Sequence, residues 1–178
     1  MKNNSPLLIS VTGWSGSGKT TFCEKLIREL SRRGYSIAAV KNTHRDLYSD
    51  KAGSDSNRYY EAGAESVCLN AGDCATIFRR KPLSSSKEFK ELFQSSDFII
   101  AEGFKSSDAV NIEVCGEIGD IAKMKNPPLS ADLIVYADEE LAHRLKSEAG
   151  STPDGGFPPV IERNNIEAAA DFLRDLLT

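Results

Sequence analysis

The first place in this 178-residue chain where residue types and spacing imply chemistry is Gly13-Trp14-Ser15-Gly16-Ser17-Gly18-Lys19-Thr20. These residues fit G-x-x-x-x-G-K-[ST] at every required position, the pattern of a phosphate-binding loop. The glycines let the backbone turn and approach an anion closely. Successive N–H groups can then converge on phosphate oxygens at the positive end of the following helix. Lys19 offers a point charge to the β- and γ-phosphates, and the Thr20 hydroxyl is placed for Mg²⁺. Thr21, one residue on, can reach an α-phosphate. The bland alternative is a Gly-rich turn before a helix, in which Lys19 would be a charge that the helix dipole disfavours.

Such a loop needs a carboxylate for the metal at the carboxyl end of a neighbouring strand. Asp97 and Glu102 flank one apolar run, and only Glu102 follows it, so Glu102 is the expected metal-linked residue and Gly103 permits close approach to phosphate. Lys41 and His44 open a polar stretch, 41–55, that also follows a strand. In it Asp46, Asp50 and Asp55 are further carboxylates, and Arg58 either pairs with Asp55 or binds a second anion. The four cysteines show no Cys-x-x-Cys spacing and there are two His, so the thiols read as reduced and structural rather than zinc-binding.

The elements that must position these residues follow from pattern. Residues 6–12 form a short apolar strand and 19–33 an amphipathic helix, with Phe22, Leu26 and Leu30 on one face and Gly34 as its stop. Further strands are expected at 36–40, 97–101, 110–115, 133–136 and 160–161. Helices are expected at 57–62, 84–94 (with a Ser85/Glu88 capping box), 138–148 and after Asn165, with Ile166, Ala169, Ala170, Leu173 and Leu177 inward. Strands at 66–69 and 75–78 around Gly72-Asp73 suit a hairpin. The Gly/Pro-rich segment 149–159 reads as a loop. Alternation of strand and helix predicts an α/β fold: a three-layer phosphate-loop NTPase architecture with a mainly parallel sheet, helices on both faces, a small antiparallel hairpin, and one domain over 1–178.

Composition bounds the rest. Apolar residues make up 40% and charged residues 27%, as in globular proteins generally. A net charge of −4 and a pI near 5.3 argue against a broad basic surface for nucleic acid or anionic membrane. No apolar run approaches the ~20 residues of a membrane span, and the start lacks signal-peptide features, so the cytoplasm is the expected location.

With those segments in hand, the sequence resembles the MobB family, the molybdopterin-guanine dinucleotide biosynthesis adaptor proteins. The likeness rests on the phosphate loop with Thr20-Thr21; on Lys41-Asn42-Thr43-His44 leading to Asp50 and Gly53-Ser54-Asp55-Ser56-Asn57-Arg58; on Glu61-Ala62-Gly63-Ala64; and on Glu102-Gly103-Phe104-Lys105. Two departures are visible: Arg45 follows His44 where the family often pairs His, and Ser54 stands where it often has Lys. The resemblance implies a GTP- and Mg²⁺-binding homodimer with weak GTPase activity. It would assist a MobA-type guanylyltransferase that attaches GMP to molybdopterin. Lys41, His44, Asp50, Asp55, Arg58 and Lys105 would then contact pterin or partner, or sense phosphate. No Asn-Lys-x-Asp signature selects guanine. Two other readings stay open: a small-molecule kinase transferring the ATP γ-phosphate to a hydroxyl, with Asp46 or Asp50 as base, and a nucleotide-gated switch for another metal-cofactor pathway.

Overall fold

The computed structural model describes residues 5–43, 50–116, 131–137, 139–143 and 158–177. The chain divides into two compact units, 1–43 with 85–178, and 44–84.

The larger unit is built on a six-stranded, all-parallel sheet. Its strands are β1 (Leu7–Thr12), β2 (Ile37–Lys41), β5 (Phe98–Glu102), β6 (Val110–Cys115), β7 (Leu133–Tyr136) and β8 (Val160–Glu162), in the order β2-β5-β1-β6-β7-β8. β1 and β5 are nearly continuous apolar runs and are buried along almost their whole length. That pattern marks the central strands of a sheet covered on both faces. The helices α1 (Lys19–Arg32) and α4 (Ile166–Asp175) pack on one face. Phe22, Leu26 and Leu30 of α1 meet Ile9, Val11, Phe98, Ile100, Ile112 and Val114, and Ala169, Ala170 and Leu173 of α4 complete that core. Burying each large side chain of this kind contributes about 1.5–3 kcal/mol. On the other face Cys115, Ile134 and Leu141 cluster, and α3 (Ser86–Leu92) brings Phe89 edge-on to Phe104 at 4.8 Å.

The smaller unit holds α2 (Asp55–Glu61) and the antiparallel pair β3 (Ser66–Asn70) and β4 (Ala75–Arg79). The turn closes with Ala71 N–H donating to the Cys74 carbonyl at 2.8 Å, as the Gly72-Asp73 signal predicts. Arg80 lies over the Tyr60 ring at 4.1 Å and donates to the Ala64 carbonyl, tying the strands to the end of α2.

Several boundaries differ from the sequence reading for identifiable reasons. Lys41 is the last residue of β2 rather than the first of a loop, because its backbone pairs in register with Glu102. α2 starts at Asp55, two residues early, because the Ser54 hydroxyl accepts from Asn57 N–H as its N-cap. α3 starts at 86 because Ser85 is held extended as the cap, with the expected reciprocal Ser85–Glu88 bonds. Of the helix expected over 138–148, residues 139–143 are helical. His44, Asp46 and nearly all of the 149–159 segment lie outside the described residues.

Candidate functional site

The loop between β1 and α1 takes its shape from three glycines with positive φ: Gly13 at 141°, Gly16 at 83° and Gly18 at 91°. Two positions also require glycine for space. A Cβ on Gly13 would lie 2.3 Å from the Val114 carbonyl oxygen, and one on Gly116 would lie 2.6 Å from Ser17 Cα. The loop is therefore pressed against the end of β6. Ser17 is trapped between these glycines, and its buried hydroxyl finds no hydrogen-bond partner among the described residues. Arg163, just past β8, donates to the Ser17 carbonyl at 3.2 Å, and its own N–H donates to the Tyr136 carbonyl at 2.7 Å. The ends of β6, β7 and β8 thus brace the outside of the loop.

The inside of the loop suits an anion. α1 opens without a side-chain cap and without an acidic residue in its first turn. Its first N–H groups and positive dipole end are therefore left for something else to satisfy. Lys19 Nζ donates across the loop to the Trp14 carbonyl at 2.6 Å, and Trp14 is 46% exposed on the rim.

Beside the loop, register brings the carboxyl ends of β1, β2 and β5 level: Val11 and Lys41 both pair with Glu102. Glu102 is 8% exposed. The Thr20 hydroxyl lies 3.0 Å from both its carboxylate oxygens. Lys41 Nζ ion-pairs with the same carboxylate and donates to the Thr20 hydroxyl at 3.2 Å. Gly103 (φ 76°) fits between neighbours, its N–H donating to the Val11 carbonyl and its carbonyl accepting from Asn42 Nδ2. Hydroxyl and carboxylate oxygens of this kind are the donor set of a hard divalent cation beside phosphate. The uncapped helix end, Lys19 and the Thr20–Glu102 pair therefore fit a nucleotide triphosphate with Mg²⁺. Cys23 lies one helical turn beyond Lys19. Burial pushes its thiol up to about 12, with the nearby Glu102 carboxylate adding to the rise and Lys41 and Lys19 opposing it.

Of the residues singled out in the sequence, 13–21, Lys41 and Glu102 converge on this edge. Asp97 lies at the opposite edge, where its carboxylate accepts from Ser36 N–H at 2.9 Å. Lys105 lines an open cleft of about 620 Å³ with Ser106, Asn111 and Asp132, beside the amino ends of β6 and β7. In the smaller unit Asp50 accepts from the Ser54 and Ser56 hydroxyls, which hold its carboxyl below the usual range. Arg58 pairs with Asp55 at 3.3 Å, both well exposed. No group of three metal-ligating side chains occurs among the described residues. Two residues at the loop's edge escape sequence reasoning. Glu113 accepts from the Thr12 hydroxyl across the β1–β6 register, and Arg163 braces Ser17. The polar positions Asn111 and Glu113 in an otherwise apolar strand were a signal for the first. The strand-end rule was a signal for the second.

Comparison with known proteins agrees with this geometry. The family described as "Molybdopterin guanine dinucleotide synthesis protein B" matches residues 8–135, well over half the chain. The chain belongs to this family. A Haemophilus influenzae molybdopterin-guanine dinucleotide biosynthesis adapter protein is 40% identical over 99% of this chain and 92% of its own length. An Escherichia coli adapter protein is 32% identical over 93% and 90%. The crystal structure of Bacillus subtilis MobB superposes with a TM-score of 0.68 at 22% identity, covering 97% of this chain and 98% of that one. The hydrogenase maturation factor HypB of Archaeoglobus fulgidus shares the fold more distantly, with a TM-score of 0.52 at 19% identity. Among MobB-family features, the phosphate loop and Glu102-Gly103 sit together here, whereas Lys105 is directed to the separate cleft.

Proposed function

We propose that this protein is a GTP-binding adapter of molybdenum-cofactor biosynthesis, with weak GTPase activity, acting beside a MobA-type guanylyltransferase as GMP is joined to molybdopterin. The observation that carries the reading is the uncapped start of α1 under a glycine-shaped loop, with Lys19 inside it and Thr20 against Glu102. Membership of the adapter family supplies the pathway. Gly13 to Thr21 would hold the triphosphate, and Thr20 and Glu102 the Mg²⁺, which when bound neutralises charge on the β- and γ-phosphates. Lys19 exchanges the Trp14 carbonyl for phosphate oxygens. Arg163 lies on the Ser17 carbonyl outside the loop, so the chain's own arginine there supports shape rather than the developing charge, which favours slow turnover. A homodimer in the cytoplasm is part of the proposal. Among the described residues no helix is long and apolar enough to cross a membrane.

Trp14 is the sole tryptophan and stands on the rim of the loop, so its fluorescence reports occupancy directly. Titration with Mg·GTP should quench or shift it. Lys19→Ala should weaken binding by about 10- to 150-fold, the range for hydrogen bonds to charged groups. Wild-type affinity in Lys19→Ala, or rapid phosphoryl transfer from ATP to a nucleoside or pterin hydroxyl, would overturn the proposal.

A further inference from the structure

Lys41 makes contacts that the proposed function does not use. Its ammonium lies against the Glu102 carboxylate and 3.2 Å from the Thr20 hydroxyl, the two side chains whose oxygens suit a divalent cation. The pocket for a metal thus already holds a cation, supplied by the protein. The exposures of the two partners differ sharply. The Glu102 side chain is 10% exposed, so its charge needs a positive neighbour; that of Lys41 is 57% exposed, so its ammonium can leave for water without a buried charge of its own. The backbone around Lys41 is fixed. It pairs in register with Glu102, Asn42 N–H donates to the Glu102 carbonyl at 2.9 Å, and Asn42 Nδ2 donates to the Gly103 carbonyl at 3.1 Å. Only the side chain is free to move.

We propose that Lys41 is a place-holding cation: it neutralises Glu102 and excludes a divalent metal from the Thr20–Glu102 pair, and, once displaced, turns its ammonium to the terminal phosphate of the bound triphosphate. The inference rests on the nucleotide-binding reading above. Two cations cannot share these oxygens, because at about 4 Å their repulsion at a protein surface is several times that in water. A flexible four-carbon stem lets Lys41 follow the charge from carboxylate to phosphate. The displaced lysine would then distinguish triphosphate from diphosphate, since only the former presents a terminal γ-phosphate beside Thr20.

The test uses the full chain and two measurements. In the first, Mn²⁺ is titrated into nucleotide-free protein and free metal is read by electron paramagnetic resonance. Lys41→Met should bind Mn²⁺ about fivefold more tightly than wild type, the worth of an ion pair with one exposed partner. The gain should vanish in Lys41→Met/Glu102→Gln. Lys25→Met removes a charge from α1, the helix that carries Thr20, at a side chain that bonds Asn164 instead, and calibrates the through-space effect. In the second, Trp14 fluorescence gives the ratio of GTP to GDP affinity, which should fall about fivefold or more in Lys41→Met and persist in Lys41→Arg. Both results are required. An Mn²⁺ gain no larger than that of Lys25→Met, or an unchanged nucleotide ratio, overturns the proposal. The metal titration contains no nucleotide, so it keeps its meaning if Lys19→Ala shows that the loop does not bind GTP.

Discussion

Gly13 and Gly16 share a left-handed backbone and differ in their surroundings, which makes them a controlled pair. At Gly16 (φ +83°) an added Cβ would meet nothing within 4 Å. Gly16→Ala therefore carries only the backbone cost of a left-handed L-residue, about 1–2 kcal/mol. At Gly13 (φ +141°) the same atom would lie 2.3 Å from the Val114 carbonyl oxygen and 2.9 Å from Ser17 Oγ. The first of these is main chain in a strand paired on both sides, to β1 and β7, so it cannot swing aside. Backbone strain of about 1–3 kcal/mol is joined by an overpacking cost of about 1–3 kcal/mol. In a domain of this size each kcal/mol lowers the melting temperature by about 2–4 °C. Gly16→Ala should therefore lose about 2–8 °C, and Gly13→Ala at least about twice as much as Gly16→Ala in the same buffer. Circular dichroism melts of both variants without nucleotide decide it. Equal melting temperatures would mean that the loop is not pressed on β6, and the steric reading of the site would fail.

Two further outcomes follow from charge and burial. Hydrogen bonds from Arg32 and Arg33 hold the Glu29 carboxyl at about 2 instead of 4.5, and Arg33 also reaches Asp171 of α4 at 2.7 Å. A lowered carboxylate pKa stabilises the folded state above the unfolded value and loses that effect as pH falls toward the folded one. Glu29→Gln should thus be less stable than wild type at pH 7 in urea titrations, with the gap closing between about pH 4.5 and pH 2; a gap independent of pH would refute the linkage. For the thiols, Cys68 and Cys74 are exposed, while Cys23 and Cys115 are buried and burial keeps Cys23 protonated to about 12. Maleimide at pH 8 should label the exposed pair rapidly and Cys23 only on unfolding, and mass spectrometry showing equal rates would contradict the placement of Cys23 beneath the loop.

How much of this was readable in the residues depended on whether the signal was local. The phosphate loop is contiguous, and its glycines carry their own conformational reason, so motif and geometry coincide at 13–20. The buried strand 97–101 is an apolar run that nothing but a covered sheet explains, whereas 110–115 alternates only weakly. The Ser85/Glu88 box needs only a spacing of three. Glu102 was placed by a rule about strand ends, and β5 meets it. What sequence could not supply was register. Lys41 reads as the start of a polar loop because its polarity resembles the residues after it; only pairing with Glu102 makes it strand and aims it at Thr20. Glu113 is one polar letter in a strand until Thr12 stands opposite. Arg163 lies 146 residues from Ser17, which it braces, and no periodicity connects them.

An acidic chain that binds a polyanion must concentrate positive charge where it is needed, and here both ammonium groups at the site are already engaged by the protein. Lys19 rests on a carbonyl and Lys41 on a carboxylate. A carbonyl is a weaker acceptor than a phosphate oxygen, so Lys19 gains by the exchange. For Lys41 the exchange is of one anion for another, and it becomes favourable only when a second cation takes over Glu102. Phosphate and metal therefore have to arrive together for both lysines to change partners. On the proposed reading that requirement would suit a protein whose nucleotide state is read by something else: the site would respond to the metal–triphosphate pair as a unit, and a diphosphate would leave Lys41 with less reason to move.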